Sequence, residues 1–292
     1  MKLGITGATG FVGKRLIQAA TRSGIEVIAY TRDPSRAVGG CVETRGFSLD
    51  KVPDFSGCDG IIHLAGENVA GLWTAAKKRR IHESRVLGAR RVVEGIRAAQ
   101  VPPEVLIAAS AIGYYGNQGE RDITEESPRG SGFLADVCAD NEAEILAAEP
   151  LCRVVRARIG LVFGEGGALG AMRLIFKLGL GGPVGDGQQW MSWIHIEDAV
   201  SLLLFAARNL DIRGPLNVTA PWPIRNADFT KTFARSLRRP AFFRAPAVAL
   251  RLVLREFADE LLLSRRVLPA VATAEGFGFQ FPELTEVVFG NL

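Results

Sequence analysis

The sequence predicts an α/β fold, a doubly wound parallel sheet followed by a small, mainly helical region. Three observations carry this expectation. Short apolar runs alternate with amphipathic stretches through residues 1–225, the pattern of βα units. The first run, Lys2-Leu3-Gly4-Ile5-Thr6, breaks into three glycines spaced G-x-x-G-x-x-G, at Gly7, Gly10 and Gly13, and then into a helical pattern. Hydrophobic residues make up 48% of the 292 residues and charged residues 23%, enough to build a sizeable core.

The elements read in order. After the glycines, Phe11, Val12, Leu16 and Ile17 form the inner face of a helix. Glu26–Arg32 is a second strand, and residues 41–57 are a short strand and a polar loop. Gly60-Ile61-Ile62-His63-Leu64-Ala65-Gly66 is a buried strand ending in small residues, and Ala75–Gln100 is a long helix. Val105–Ser110 is a strand that runs into Ala111-Ile112-Gly113-Tyr114-Tyr115-Gly116. A polar loop precedes a helix over Phe133–Ala148, and Arg153–Phe163 reads as one strand. Ala171–Leu178 is helical, and the glycine-rich stretch 179–187 is too flexible to be an element. Trp193–Ile196 is a short strand, Glu197-Asp198 opens a helix to Arg208, and Pro215–Val218 is the last strand of the main body. The expected division is a nucleotide-binding domain over 1–225, with substrate-side insertions around 165–195, and a small C-terminal domain over 226–292.

The glycine triplet points to chemistry because of its context. Gly7 allows a tight strand-to-helix turn, Gly10 lets a pyrophosphate approach the backbone, and Gly13 lets the helix pack closely on the sheet. The helix that follows offers unpaired N–H groups and the positive end of its dipole to phosphate. A dinucleotide is therefore the expected ligand, with Gly7 and Gly10 in the turn that meets its pyrophosphate. At the end of the second strand an acidic residue would hold a ribose 2′-hydroxyl. Thr31 and Arg32 stand there instead, with Asp33 one step later, so a 2′-phosphate and NADP(H) are expected. In the alternative reading Arg32 is a surface arginine and Asp33 takes the ribose. Small residues at the end of the Gly60–Gly66 strand suit a cofactor lying across it, and His63, between Ile62 and Leu64, reads as a hydrogen-bonded core histidine.

Composition excludes other classes. Net charge is +4, with basic residues scattered except for Lys77-Lys78-Arg79-Arg80, so an anionic ligand is expected and a nucleic-acid partner is not. Four cysteines without C-x-x-C spacing, beside three histidines, argue against a metal site and for reduced thiols in a cytoplasmic protein. The chain opens directly on a strand, with no leader expected before it, and no apolar run reaches the ~18 residues of a bilayer span, so no membrane partner is expected.

Several motifs together resemble a known family. Thr6-Gly7-Ala8-Thr9-Gly10-Phe11-Val12-Gly13, His63-Leu64-Ala65-Gly66-Glu67-Asn68, Ser110–Gly116 and Trp193-Ile194-His195-Ile196-Glu197-Asp198 resemble the extended short-chain dehydrogenase/reductases, which have Rossmann-type folds. Ser84-Arg85, Leu178–Pro183, Arg265–Pro269 and Gly276-Phe277 are similar to an atypical, epimerase-like branch related to nucleoside-diphosphate-sugar epimerases, and this likeness covers nearly the whole chain. The resemblance implies an NADP(H)-binding oxidoreductase or epimerase-like protein of unassigned substrate. It places Gly10, Phe11 and Val12, with Thr9 among them, at the pyrophosphate, Leu64 and Ala65, with Gly66 next to them, on the adenosine side, Arg85 as a second cationic contact, and Val162 toward the nicotinamide.

The same resemblance implies a Tyr-x-x-x-Lys pair on the helix after the serine strand, the tyrosine as acid/base and the lysine lowering its pKa. That helix here holds neither residue; it reads Phe133-Leu134-Ala135-Asp136-Val137-Cys138-Ala139-Asp140-Asn141-Glu142. The replacements on offer are Ser110, Tyr114 and Tyr115, with Ser110 and Tyr115 as the catalytic candidates; each tyrosine reads equally well as packing the loop, and the Tyr115 phenol is expected near its ordinary pKa of ~10. Cys138 reads as an inert buried thiol, and His195 as a residue that closes the substrate side structurally. The expected partner is a small molecule, a carbonyl or sugar-nucleotide compound, between the Ser110–Tyr115 and Gly181–His195 loops, and a homodimer is compatible with the sequence. The missing pair keeps a second reading open, a catalytically weak NADP(H)-binding regulatory or redox-sensing module. Residues from 226 onward are expected over the substrate side, with Arg265 and Arg266 away from the cofactor phosphates.

Overall fold

The structure, a computed structural model, describes residues 1–285 and Phe289. Its first half is β1 (Lys2–Thr6), α1 (Phe11–Arg22), β2 (Glu26–Thr31), β3 (Glu43–Gly46), β4 (Gly60–His63), α2 (Ala75–Ala98) and β5 (Val105–Ala111). A single 3₁₀ turn over Ile112–Tyr115 leads to β6 (Asp122–Ile123) and α3 (Phe133–Leu146). Then come β7 (Arg153–Ile159), β8 (Leu161–Phe163), α4 (Gly167–Lys177), β9 (Trp190–Met191), β10 (Trp193–His195), α5 (Ile196–Arg208) and β11 (Gly214–Val218). The C-terminal part holds β12 (Ile224–Arg225), α6 (Asn226–Ser236), α7 (Ala247–Leu254), α8 (Glu256–Leu262), β13 (Arg266–Val267) and α9 (Ala270–Ala274).

Seven strands form one sheet in the order β11-β7-β5-β4-β1-β2-β3, every neighbouring pair parallel. Alternation within each strand divides the core between two faces. Val27, Ala29, Ile62 and Ile107 join the layer of α1 and α5, with Leu16, Ile17, Leu202 and Leu203. Ile28, Tyr30, Ile61 and Leu106 join the layer of α2 and α3, with Val92, Ile96 and Ile145. Helices therefore cover both faces, the doubly wound arrangement.

Two elements differ from the sequence expectation. The stretch Arg153–Phe163 is two strands rather than one. At Gly160 an added Cβ would lie 2.8 Å from the Ser192 carbonyl oxygen, so the chain leaves the main sheet there, and β8 pairs with β10 instead. Helix α4 begins at Gly167, ahead of Ala171, because Gly166 and Gly167 turn at φ +109° and +55° and let the helix start earlier. The C-terminal part also returns a strand to the main body, β13 beside β6.

Candidate functional site

The carboxyl ends of the central strands form one edge. Thr6 lies beside Tyr30 on one side and His63 on the other, and His63 lies beside Ala108. Gly7 and Leu64 therefore leave the sheet side by side, at the switch in strand order between β1 and β4, with Thr31 ending β2 next to them. Open parallel sheets bind ligands in the crevice outside such a switch.

The turn after β1 is built around close backbone approaches. Gly7 has φ +69°, and a Cβ there would sit 2.8 Å from the Leu64 carbonyl carbon. A Cβ on Gly13 would lie 2.2 Å from the Gly7 oxygen, so only glycine lets α1 come this close. Gly10 is different. It is exposed, has ordinary extended backbone, and its Cβ would meet only the Gly7 oxygen, at 3.1 Å. Helix α1 has no side-chain cap and no acid in its first turn, which leaves its leading N–H groups free for an anion. The Phe11 ring is covered by the 164–167 loop, where a Cβ on Gly167 would come within 3.0 Å of it.

Thr6 fixes the neighbouring strand end. Its hydroxyl accepts the Leu64 and Ala65 amides at 3.2 and 3.3 Å and bonds His63 Nδ1 at 2.6 Å. His63 is fully enclosed, and burial, aided by Arg85, pushes its pKa down to about 4. It is the core histidine the sequence suggested. Arg85 lies against Gly66 and donates from Nη1 to the carbonyls of Glu67 and Ile81 at 2.9 and 3.3 Å. Its other nitrogens have no partner among the described residues. At the end of β2, Thr31 Oγ1 donates to the Asp33 carbonyl at 2.9 Å, while the Asp33 carboxylate accepts from Ser35 and pairs with Arg36 at 3.3 Å. Arg32 is exposed and makes no ion pair among the described residues. Asp33 is thus engaged and Arg32 is free.

The end of β5 is closed instead. Ser110 Oγ donates to Glu142 Oε1 at 2.7 Å, across from α3. Glu142 also accepts from Arg158 Nε and Nη2 at 2.9 and 2.8 Å and from Arg156 at 3.3 Å. Arg158 and Glu142 are each 3% exposed, a bidentate pair in the interior. Burial works against the Arg158 charge, yet the Glu142 carboxylate raises its pKa overall. Its guanidinium lies 3.6 Å from the Tyr114 ring centre.

Tyr115 is a correction. Of its two readings, a phenol in the cleft or a packed loop residue, the packed one is found: Tyr115 is fully buried, donates to Asn217 Oδ1 at 2.7 Å and accepts from Arg158 Nη1 at 2.9 Å. Burial pushes its pKa up to about 12, although Arg158 pulls the other way, so the ordinary value of ~10 does not hold. The short 3₁₀ turn after β5 points the side chain inward. Ser110, half-buried, keeps its place at the strand end, and Val162 pairs its strand with Ile194 beside Phe11's layer of the core. Cys138 is buried, which raises its thiol pKa, and His195 Nδ1 accepts the Glu197 amide at 3.3 Å as the cap of α5. Arg265 donates to the Gly116 carbonyl at 2.8 Å and Arg266 pairs with Asp122 at 3.1 Å, both at this end of the sheet. The residues the sequence reading missed are Glu142, Arg158 and Asn217. Arg156 and Arg158 alternate in an otherwise apolar strand, a signal for buried charges that need a partner.

The family model for the NAD-dependent epimerase/dehydratase family matches residues 3–218. The chain belongs to this family. A second model, for a domain of unknown function, matches residues 245–288. An epimerase family protein of Bacillus subtilis is 36% identical over 289 residues, spanning 97% of this chain and 95% of the relative. The chloroplastic homologue of epimerase family protein SDR39U1 from Arabidopsis thaliana is 35% identical over 290 residues, spanning 96% of this chain and 84% of that protein. Among solved structures, human SDR39U1 with NADPH superposes at a TM-score of 0.91 with 31% identity, covering 99% of this chain and 98% of that one. A Thermus thermophilus UDP-glucose 4-epimerase complexed with NAD, 20% identical, shares the fold at a TM-score of 0.75 over 99% of this chain and 97% of that one. The epimerase-family fold and NAD(P) binding follow from these matches. Among the described residues no cluster of metal-ligating side chains is present.

Proposed function

We propose that this epimerase-family protein binds NADP(H) in preference to NAD(H) and uses it on a small carbonyl or sugar-nucleotide substrate. The observation that carries the cofactor choice is the pairing of an engaged Asp33 with a free, exposed Arg32 at the end of β2. A guanidinium with no competing carboxylate suits a 2′-phosphate. The residues fit the cofactor elsewhere too: the uncapped α1 terminus with Thr9, Gly10, Phe11 and Val12 for the pyrophosphate, Leu64, Ala65 and Gly66 for the adenosine side, Arg85 behind them, and Val162 toward the nicotinamide. NADP(H), when bound, supplies a hydride donor or acceptor. The human relative solved with NADPH supports this reading.

For the chemistry, Ser110 is the candidate catalytic residue, able to hold a substrate oxygen at the end of β5. Glu142 is its positioning residue: it accepts the Ser110 hydroxyl proton and is itself fixed by Arg158. Tyr115 acts through Arg158 and not on substrate. With no lysine on α3 and the Tyr115 phenol buried, the site is a poor base, so carbonyl reduction by NADPH exceeds alcohol oxidation at neutral pH. The free thiols and the reducing cofactor fit the cytoplasm. A second reading, a regulatory or redox-sensing NADP(H) module, is favoured by the hydrogen bonds that tie Ser110, Glu142, Arg158, Tyr115 and Asn217 to one another.

The test is calorimetric titration with NADPH, beside a carbonyl panel. Gly10→Val changes an exposed position of ordinary extended backbone, where an added Cβ would press on the Gly7 oxygen alone, at 3.1 Å. It is expected to keep the fold and weaken NADPH binding by at least ~100-fold, about 2.7 kcal/mol. Unchanged binding would remove the cofactor from this turn. Carbonyl reduction that Ser110→Ala abolishes supports the enzyme reading. Tight NADPH binding with no turnover across the panel supports the module.

A further inference from the structure

The surface of the C-terminal part carries an unpartnered apolar face in a strongly basic setting. Residues 231–255 hold seven lysines and arginines and no acid. Lys231 pairs with Asp228 and Arg251 with Asp259. The other five, Arg235, Arg238, Arg239, Arg244 and Arg255, make no ion pair among the described residues and all are exposed. Between them, helix α7 reads Ala-Val-Ala-Leu-Arg-Leu-Val-Leu and buries none of its eight residues. Phe242 is 83% exposed and Leu252 79%.

The face extends beyond this segment. Ala245 exchanges backbone hydrogen bonds with Pro183 and Gly185, each at 2.9 Å, and the Phe243 main chain lies so close to Gly182 that no Cβ would fit. This ties Phe242 and Phe243 to the loop that follows α4, where Leu178 and Leu180 are also exposed, next to Leu174 and Lys177 in the last turn of α4. Scattered exposed apolar residues are ordinary, but a contiguous set marks an interaction surface.

We propose that this face docks on an anionic lipid surface, with Phe242, Phe243 and α7 entering the headgroup region and the arginines pairing with lipid phosphates. Projecting aromatic and aliphatic side chains interspersed with unpaired arginines match an interfacial anchor. A second copy is the poorer occupant, because a two-fold contact would set the same cluster of cations against itself. The expectation of no membrane partner came from the lack of a spanning segment. Among the described residues no helix is long and apolar enough to cross a bilayer, and the inference concerns attachment to its surface only.

The experiment is sedimentation of the full chain with phosphatidylcholine vesicles, with and without phosphatidylglycerol, at low and high salt. Binding is expected to be at least ~10-fold stronger on the anionic vesicles and to fall as salt rises. Phe242→Ser with Phe243→Ser, and separately Arg239→Glu with Arg244→Glu, are each expected to weaken it ~10-fold or more while NADPH binding is retained as the check of the fold. Three results overturn the proposal: no binding to anionic vesicles, equal binding to neutral ones, or binding that survives both variants. Sedimentation velocity supplies a fourth, a dimer that the same substitutions dissolve, which would assign the face to a second copy.

Discussion

The two ends of the central cleft are built on opposite principles. At the end of β1 and β2, groups are left unpaired: the α1 terminus has no cap, Gly10 is exposed, and Arg32 has no ion-pair partner among the described residues. At the end of β5, Ser110, Glu142, Arg158, Tyr115 and Asn217 bond one another inside the protein. The first is arranged for an anion that arrives from outside. The second already contains its own counter-charges, so its polar groups stabilise the domain and Ser110 is the group left at its margin. Unsatisfied polarity points to a ligand, while satisfied polarity points to architecture.

Breaking the closed end should have the largest effect. Arg158→Met leaves Glu142 buried without its bidentate partner and should cost about 3–5 kcal/mol of stability. Adding Glu142→Leu should recover much of that loss, since no buried charge then remains for Arg158 to balance. Urea denaturation of the single and double variants measures it. A single variant as stable as the parent would mean that the network contributes nothing.

His63 sharpens the comparison, because it lies beneath the open end. Its folded pKa, about 4, is below the ordinary 6.5, so the unfolded chain binds more protons between those values. Its contribution is therefore complete above pH 6.5 and is lost as pH falls toward 4, by up to about 3 kcal/mol. His63→Gln should lack this slope while other groups still titrate. Equal slopes in the two proteins, from denaturation at several pH values, would show that His63 is solvated.

The smallest effect belongs to Arg32. Arg32→Ala should remove a preference for NADPH over NADH of about tenfold, or ~1.4 kcal/mol, without altering thermal stability. A preference that persists would transfer the 2′-phosphate to another cation, with Arg36 and Arg85 the next to test.

The sequence alone determined the parallel α/β fold and the glycine turn. Both are local: strand and helix periodicities are written in neighbouring residues, and Gly7, Gly10 and Gly13 act within a single turn. His63 was legible for the same reason, as one polar residue in an apolar run. The tertiary structure decided whatever depended on distant partners. Tyr115 and Asn217 are 102 positions apart, and Ser110 and Glu142 are 32 apart, so nothing beside Tyr115 in the chain could show that its hydroxyl turns inward. Gly160 likewise divides what reads as one strand, Arg153–Phe163, where Ser192, from another segment, presses against it. Propensity sets which elements form, but the state of a polar side chain is set by what packs against it, and that is known only after the chain has closed on itself.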